Sequence, residues 1–383
     1  MTSDRDDHNL NGVQESDAAK PASTPRRSRE RLSLEEIARL SGVSRSTVSR
    51  VINDDARVSD AVRARVQRII AEQNYFPNAA ARSLASRRTG IIGLLIPRAI
   101  ESVFGDRFFQ MIIKSIATTA NRTEQQLMLL LESSENGENG ESAQRLFNRV
   151  IGGRHLDGIV VVSSEVDEPL VELLDRYHFP SVLVGRHPTL EMSFVDVDNQ
   201  HAARLAVEHL LSHGHRRIGM IGGPDNLIAA IDRRAGYMQA LSAARLPVDP
   251  QLYRAAGFDQ QQAKQAAHEL LAIEEPPTAI FAASDAMAIG ALEAAQERGL
   301  RVPDDLALFG FDGNEIAAAA NPPISTVLQP IPGLGQESVV MLMQRIDAPD
   351  APPMHRFLPT ELLLRASCGC TNAAPANQED VGG

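Results

Sequence analysis

The sequence predicts a two-part α/β chain: a small all-helical head, then a larger core of parallel sheets arranged as two lobes. Three observations predict it. Leu32 to Ala85 carries short, capped apolar stripes at helical spacing. From Gly90 onward, short apolar runs alternate with amphipathic stretches. Charge is also divided: Arg26 to Arg88 holds 14 Arg, no Lys and 7 acidic residues, a net +7, whereas the 383-residue chain is −11 overall, leaving −18 elsewhere. A basic block on an acidic chain marks the part that meets a polyanion.

In the head, Ser33 with Glu36 three residues later is a capping box. It opens a helix whose predicted inward residues are Ile37 and Leu40, and Gly42 closes it. Ser44 caps a second helix with Val48, Val51 and Ile52 on one face. Arg45, Ser46, Ser49 and Arg50 then project from the other. Ser59 caps a third helix with Val62, Val66, Ile69 and Ile70 inward. Two short helices around a Gly turn, the second showing bare Arg and Ser, form the helix-turn-helix pattern. Arg can meet phosphate or a guanine edge, and short Ser side chains let a helix sit deep in the major groove. The plainer alternative is a helical bundle with a solvated basic face; the local charge favours nucleic acid.

In the core the expected strands are Ile91–Ile96, Leu127–Leu131, Gly158–Val162, Ser181–Val184, Ile218–Ile221, Thr278–Ala282 and Leu306–Phe311. Expected helices are Phe108–Ala120, His201–Leu211, Arg234–Ala244, Gln261–Leu271 and Ala286–Arg298. That many strand–helix units exceed one compact sheet, so two lobes are expected.

Composition is that of a soluble globular protein, 43% hydrophobic and 23% charged. No run approaches the ~18 apolar residues of a membrane span. The polar, acidic N-terminus has no apolar signal core, so a cytoplasmic protein is expected. Residues 1–29 read as a disordered tail, 30–77 as the head, 78–88 as a hinge helix, 89–367 as the core and 368–383 as a C-terminal tail.

The stretches SLEEIARLSGVSRSTVSRVIN and NYFPNAAARSLASRRTGIIGLL closely resemble the start of the lactose-repressor (LacI/GalR) family of bacterial transcription regulators. VDVDNQHAARLAVEHLLSHGHRRIGMIGGP, DRRAGYMQAL, PTAIFAASDAMAIGALEAAQERGLRVPDDLALFGFDG and NPPISTVLQP resemble later signatures of the same family. VLVGRHP followed by FVDVDNQHAAR looks like its maltose and α-glucoside regulators. The resemblance implies a two-lobed, periplasmic-binding-protein-like core of type I, with the chain crossing between lobes near Pro188, Asn321 and Asp347. It implies a homodimer on a pseudo-palindromic operator, acting as a repressor under a small, carbohydrate effector. The implied DNA-contacting residues are Ser33, Ser44, Arg45, Ser46, Thr47, Ser49, Arg50, Asn53 and Ser59, with Asn78, Ala81 and Leu84 in the hinge. Leu84 would wedge into the minor groove. A tail after Ser367 without a leucine heptad favours a dimer.

The implied effector set is Phe108, Arg233, Phe258, Ser284, Asp312 and Gln329. Arg233 begins the family's R-x-x-G-Y element, with Gly236 and Tyr237 in place. Asp312 follows the last core strand of the second lobe. A carboxylate accepts two sugar hydroxyls, an Arg fork donates to others, and Phe258 offers a flat face. A plain salt bridge between Arg233 and Asp312 is the alternative. The sequence departs from the family pattern at Asp106–Phe109, usually N-P-F-F, at Gly185, usually Asp, and at Ser284, usually Asn.

Neither a metal nor a cofactor is expected. His209 and His213 stand four apart, at zinc spacing, but without H-E-x-x-H or a placed acidic third ligand. His215 is expected to bond the free carbonyls of its helix end. Cys368 and Cys370, taken alone, supply too few ligands. No catalytic motif is present: no G-x-S-x-G, no Walker A, no G-x-G-x-x-G. Asp196, Asp198 and Asp225 read as solvated loop acids. A periplasmic solute-binding protein shares the expected core but would lack the basic head. An enzyme would need a catalytic constellation.

Overall fold

The computed structural model describes residues 32–52, 55–75, 88–132, 139–153, 155–162 and 165–370. Two compact units divide the chain, residues 1–81 and 82–383.

The first unit is helical: α1 Leu34–Ser41, α2 Arg45–Ile52 and α3 Asp60–Glu72. The capping box forms in both directions, Ser33 Oγ accepting from Glu36 N–H and Glu36 Oε2 from Ser33 N–H. Gly42 ends α1 in the left-handed region. Ile37, Val48, Val51, Val58, Val66 and Tyr75 make the core of this unit. Two expectations need correction. Leu40 is 41% exposed, and the buried face of α1 is Ile37, Ala38 and Ser41. Ser41 can go inside because its hydroxyl donates to the Ile37 carbonyl at 2.6 Å. Ser59 does stand at the N-cap of α3, but only its carbonyl works there, accepting from Arg63 N–H.

The second unit holds both lobes. Lobe 1 begins β1 Ile91–Ala99, α4 Ile100–Gly105, α5 Arg107–Arg122, β2 Gln126–Glu132 and α6 Asn139–Leu146, which continues as a π-helical turn to Gly152. It continues with β3 Gly158–Val162, α7 Pro169–Arg176, β4 Ser181–Val184 and β5 Phe194–Val197. Lobe 2 runs α8 Asn199–Ser212, β6 Ile218–Gly222, α9 Ile228–Ala243, β7 Tyr253–Ala255, α10 Gln260–Leu270, β8 Ala279–Ala282 and α11 Asp285–Glu297. It closes with β9 Ala307–Asp312, α12 Glu315–Ala319 and β10 Ser325–Leu328. α13 Ile331–Asp347 and β11 His355–Leu358 return to lobe 1, and β12 Glu361–Leu363 joins lobe 2. The sheet orders are β11-β5-β4-β3-β1-β2 and β12-β10-β9-β8-β6-β7, parallel throughout except β12 against β10. Helices on both faces bury the central strands completely, which is why GIVVV at β3 reads as an unbroken apolar run.

The seven expected strands are present. Five more, β5, β7, β10, β11 and β12, have only three or four residues each, too few to show a period. Those short strands move the crossings. The chain passes between lobes after β5, at Asp198, after β10, at Gln329–Pro330, and between β11 and β12, at Pro359–Thr360. The expected positions near Pro188, Asn321 and Asp347 each fall one element too early.

One glycine sets the floor of lobe 2. α8 and α9 pack together, and a Cβ on Gly236 would lie 2.2 Å from the Gln200 carbonyl oxygen. Only a residue without a side chain lets the first turn of α8 come that close to Arg233. Gly236→Val is expected to destabilise the core by at least about 1–3 kcal/mol, the usual cost of overpacking. Urea unfolding followed by circular dichroism measures it, and unchanged stability would show that the two helices can part freely.

Candidate functional sites

Arg233, buried on α9, is the centre of the cleft-side network. Its Nε donates to Asn199 Oδ1 at 2.9 Å and its Nη1 to the Ala283 carbonyl at 2.6 Å. Asp312 Oδ1 lies 3.7 Å from Nη1, and the guanidinium sits 3.7 Å from the centroid of Phe311. Gln329 Nε2 donates to the same Asp312 oxygen at 2.7 Å. On the other side, Asn199 Nδ2 donates to Asp196 Oδ1 at 3.1 Å. The chain Asp196–Asn199–Arg233–Asp312–Gln329 thus runs from the end of β5 through lobe 2 to the second crossing. The salt bridge between Arg233 and Asp312 is real, and it does not use up either group. Among the described residues, neither Arg233 Nη2 nor Asp312 Oδ2 has a hydrogen-bond partner.

Backbone and burial both mark the place. Asp312 has φ +121° and Phe258 φ +62°, conformations that L residues rarely adopt and that cost on the order of 1–3 kcal/mol. Burial pushes the Asp312 carboxyl well above its ordinary range, the charge of Arg233 pulls it back, and Asp285 and Asp106 raise it further. Burial lowers Arg233 in turn, against the pull of Asp312 first. Burial also takes Asp196 up to about 7, with the neighbouring charge of Asp232 adding to the shift. Asp196 is therefore not the solvated loop acid expected. Asp198 and Asp225 are exposed, Asp198 capping α8 through His201 N–H.

Several contacts hold the lobes together across the cleft. Arg186, after β4, places Nη2 2.6 Å from each carboxylate oxygen of Asp232 on α9. Arg107 on α5 reaches Glu315 on α12 at 2.9 Å. Val166 N–H donates to the Asn226 carbonyl at 2.9 Å. Arg186 and Asp232 escaped sequence reasoning. The clue lay at Gly185, the departure from Asp, whose φ of +101° turns the following Arg toward the other lobe.

The remaining effector candidates sit as follows. Phe258 is half-buried, its ring 5.8 Å from the Arg233 guanidinium. Phe108 is half-buried on α5, edge-on to Phe109, and its N–H bonds Asp106. Ser284 is buried, and its Oγ accepts from Met287 N–H at the N-cap of α11. Asn314 was missed. Its Oδ1 is buried with no hydrogen-bond partner among the described residues, an orphan that costs about 1–3 kcal/mol.

On the head, Arg45, Ser46 and Arg50 are exposed on α2, with Thr47 and Ser49 half-buried beside them. Ser44 Oγ accepts from Thr47 N–H and lies 2.8 Å from Ser46 Oγ and from Thr47 Oγ1, which fixes the start of the helix. Arg45 meets Glu35 at 3.1 Å with both side chains largely in solvent, a pairing too weak to hold it from a phosphate or base. Asn53 and the whole predicted hinge set, Asn78, Ala81 and Leu84, lie outside the described residues, as do the N-terminal tail and residues 371–383.

Residues 33–78 match the model of the bacterial regulatory proteins, lacI family, and residues 207–368 that of the periplasmic binding protein-like domain. The HTH-type transcriptional regulator CelR of Thermobifida fusca is 36% identical over 88% of this chain and 99% of its own length. The chain belongs to the lacI family of bacterial regulatory proteins. It is thus a DNA-binding transcriptional regulator and not an enzyme. The repressor PurR of Vibrio atlanticus (strain LGP32) is 33% identical over 83% of this chain and 92% of its own. A solved CelR–cellobiose complex covers 88% of this regulator and 100% of that chain at 35% identity, with a TM-score of 0.68. The lac repressor dimer bound to operator and an anti-inducer covers 88% and 99% at 26% identity, with a TM-score of 0.78.

Two histidine expectations change. His215 does not bond its helix end; its Nδ1 pairs with Thr278 Oγ1 at 2.9 Å, and Arg216 takes the Leu211 carbonyl. His209, Cys368 and Cys370, far apart in the sequence, come together at one place, with His213 beside Cys370 and His209.

The raised carboxyl of Asp196 gives this regulator a pH signature. The folded core keeps a proton there up to about pH 7, whereas an unfolded Asp releases it near 4. The folded state therefore binds more protons between those values, and this group's contribution to stability is lost as pH rises from about 4 to about 7. Asp196→Asn removes that slope. Urea unfolding at pH 5 and pH 7 should show a smaller difference for the variant; an identical difference would mean that Asp196 is ionised in the fold.

Proposed function

We propose that the regulator is a dimeric cytoplasmic repressor that reads a pseudo-palindromic operator and answers to a carbohydrate bound between its lobes. The observation that carries the ligand reading is the pair left open in the cleft network: the N–H donors of Arg233 Nη2 and the acceptor Oδ2 of Asp312. A sugar hydroxyl is both donor and acceptor and can bridge them. The half-buried rings of Phe258 and Phe108 supply the apolar contact that a pyranose face needs. With no Trp and four Tyr in the chain, flat aromatic walls for a nucleobase are scarce. The CelR–cellobiose complex supports a glucoside.

For DNA, Arg45, Ser46 and Arg50 form the base-reading face. Ser33, Ser44, Thr47, Ser49, Asn53 and Ser59 position the head on the backbone. Asn78, Ala81 and Leu84 form a minor-groove hinge. Ile100 and Phe104 on α4 and Leu129 on the edge strand β2 are large apolar side chains left in solvent, which supports a second copy as partner. No helix among the described residues is long and apolar enough to cross a membrane. The ligand acts by binding one lobe closure better than another, with a typical coupling of about 1–3 kcal/mol.

Calorimetry of the full chain with cellobiose, maltose, a purine base and a nucleoside tests the effector class. A glucoside is expected to bind, and Asp312→Asn, which keeps the shape but loses the charge, should weaken it by roughly 10–150-fold, the worth of a charged hydrogen bond. Binding of the purine alone would overturn the assignment. Selection of operator sequences tests the head. Arg45→Ala is expected to cost about 1–3 kcal/mol and relax one position per half-site. An unchanged selected motif would remove Arg45 from the reading face.

A further inference from the structure

The C-terminal end of α8 carries His209 in its last turn and His213 at its C-cap, with ring centroids 4.7 Å apart. Facing them is the short 3₁₀ turn Ala366–Cys368, followed by Gly369 at φ +88°. That left-handed residue reverses the chain at once, so both sulfurs of the C-x-C pair point at the same helix end. Nε2 of His209 lies 3.3 Å from Cys368 Sγ and 3.4 Å from Cys370 Sγ. Nε2 of His213 lies 3.5 Å from Cys370 Sγ. The donor atoms of His209, Cys368 and Cys370 all fall within 4.8 Å of one another, and both cysteines are free.

These separations have a simple geometric meaning. A tetrahedral zinc ion takes sulfur at about 2.3 Å and imidazole nitrogen at about 2.0–2.1 Å, which sets neighbouring S and N ligands about 3.5 Å apart. The three S···N distances, 3.3, 3.4 and 3.5 Å, reach or fall just short of that value. The site is also supported from behind. Ser325 Oγ, on β10, donates to Cys368 Sγ at 3.0 Å, and the Arg365 N–H holds Ser325 Oγ at 2.8 Å. Hydrogen bonds of this kind orient a ligating thiolate. Cys368 is buried in the core of lobe 2, while Cys370 is half-buried and His213 exposed, so an ion has a route in.

We propose that His209, His213, Cys368 and Cys370 form a His₂Cys₂ site for zinc. Four protein ligands leave no open position, so the ion is structural and does no hydrolysis. It fastens the segment after β12 to α8. That helix begins with Asn199, which holds Arg233, so the metal braces the helix on which the cleft network rests. Binding requires both thiols to lose their protons to solvent, with no change of redox state at zinc or sulfur.

Full-length protein, purified under reductant and without chelator, decides it. Metal analysis is expected to find about one zinc per chain, and cobalt substitution to give the thiolate charge-transfer and visible bands of a tetrahedral S₂N₂ ion. Cys370→Ser and His213→Ala, both at accessible positions, should each lower zinc affinity by at least about tenfold, while His268→Ala on α10 leaves it unchanged. The cobalt charge-transfer intensity should fall in Cys370→Ser and survive in His213→Ala, a split that general loss of folding would not produce. Folded protein that takes up no zinc with both thiols free, or zinc affinity unmoved by both variants, would overturn the site. So would a Cys368–Cys370 disulfide that persists under reductant.

Discussion

A buried guanidinium is the constraint on which the core depends. Stripping water from the charge of Arg233 costs several kcal/mol unless partners replace the solvent. Those partners come from separate parts of the chain: Asn199 at the first crossing, Ala283 at the end of β8, Asp312 at the end of β9, and Phe311 beneath the plane. Gln329, at the second crossing, holds Asp312 in turn. The network lies at the carboxyl ends of the lobe 2 strands, where open parallel sheets bind ligands. Satisfying one charge therefore fixes two of the three crossings and the strained backbone of Asp312.

The same arrangement explains how a small molecule can matter. Arg107–Glu315 joins the lobes through exposed groups and is a modest tie, whereas Arg186–Asp232 pairs a half-buried Arg with a buried carboxylate. A ligand that engages the open donors of Arg233 and acceptor of Asp312 adds interaction in one closure and not in another. Differential binding is the only way that a ligand can shift such an equilibrium.

Much of this was readable in the sequence where a local rule decides the outcome. The Ser33–Glu36 box, the Gly42 stop and the fully buried strands β3 and β4 follow from capping and unbroken apolar runs. β5, β10, β11 and β12 are too short to carry a period, which hides the crossings, and Asp196 interrupts β5 with a carboxyl that burial keeps protonated and that Asn199 hydrogen-bonds. Leu40 was put inside because an apolar residue three after Ile37 fits the stripe, while Ser41 could take its place only through a bond to the Ile37 carbonyl. Arg233 and Asp312 were found through the family signature. Arg186 and Asp232 pair only once both lobes are folded, and Asn199 and Asn314 are placed only by the folding of lobe 2 itself. The His and Cys pairs stand 159 positions apart between His209 and Cys368, so neither pair signals the other.

In the proposed regulator the cleft and the operator are linked through one closure equilibrium. Linkage is reciprocal for binding free energies, so the factor by which a glucoside changes operator affinity must equal the factor by which operator changes glucoside affinity. Both can be measured on the full chain at one salt concentration, by fluorescence anisotropy with labelled operator and by calorimetry of the protein–operator complex. Equal factors of roughly 5–150 are expected in the two directions. A glucoside that binds with the same affinity to free and operator-bound protein, and leaves operator affinity unchanged, would contradict that link.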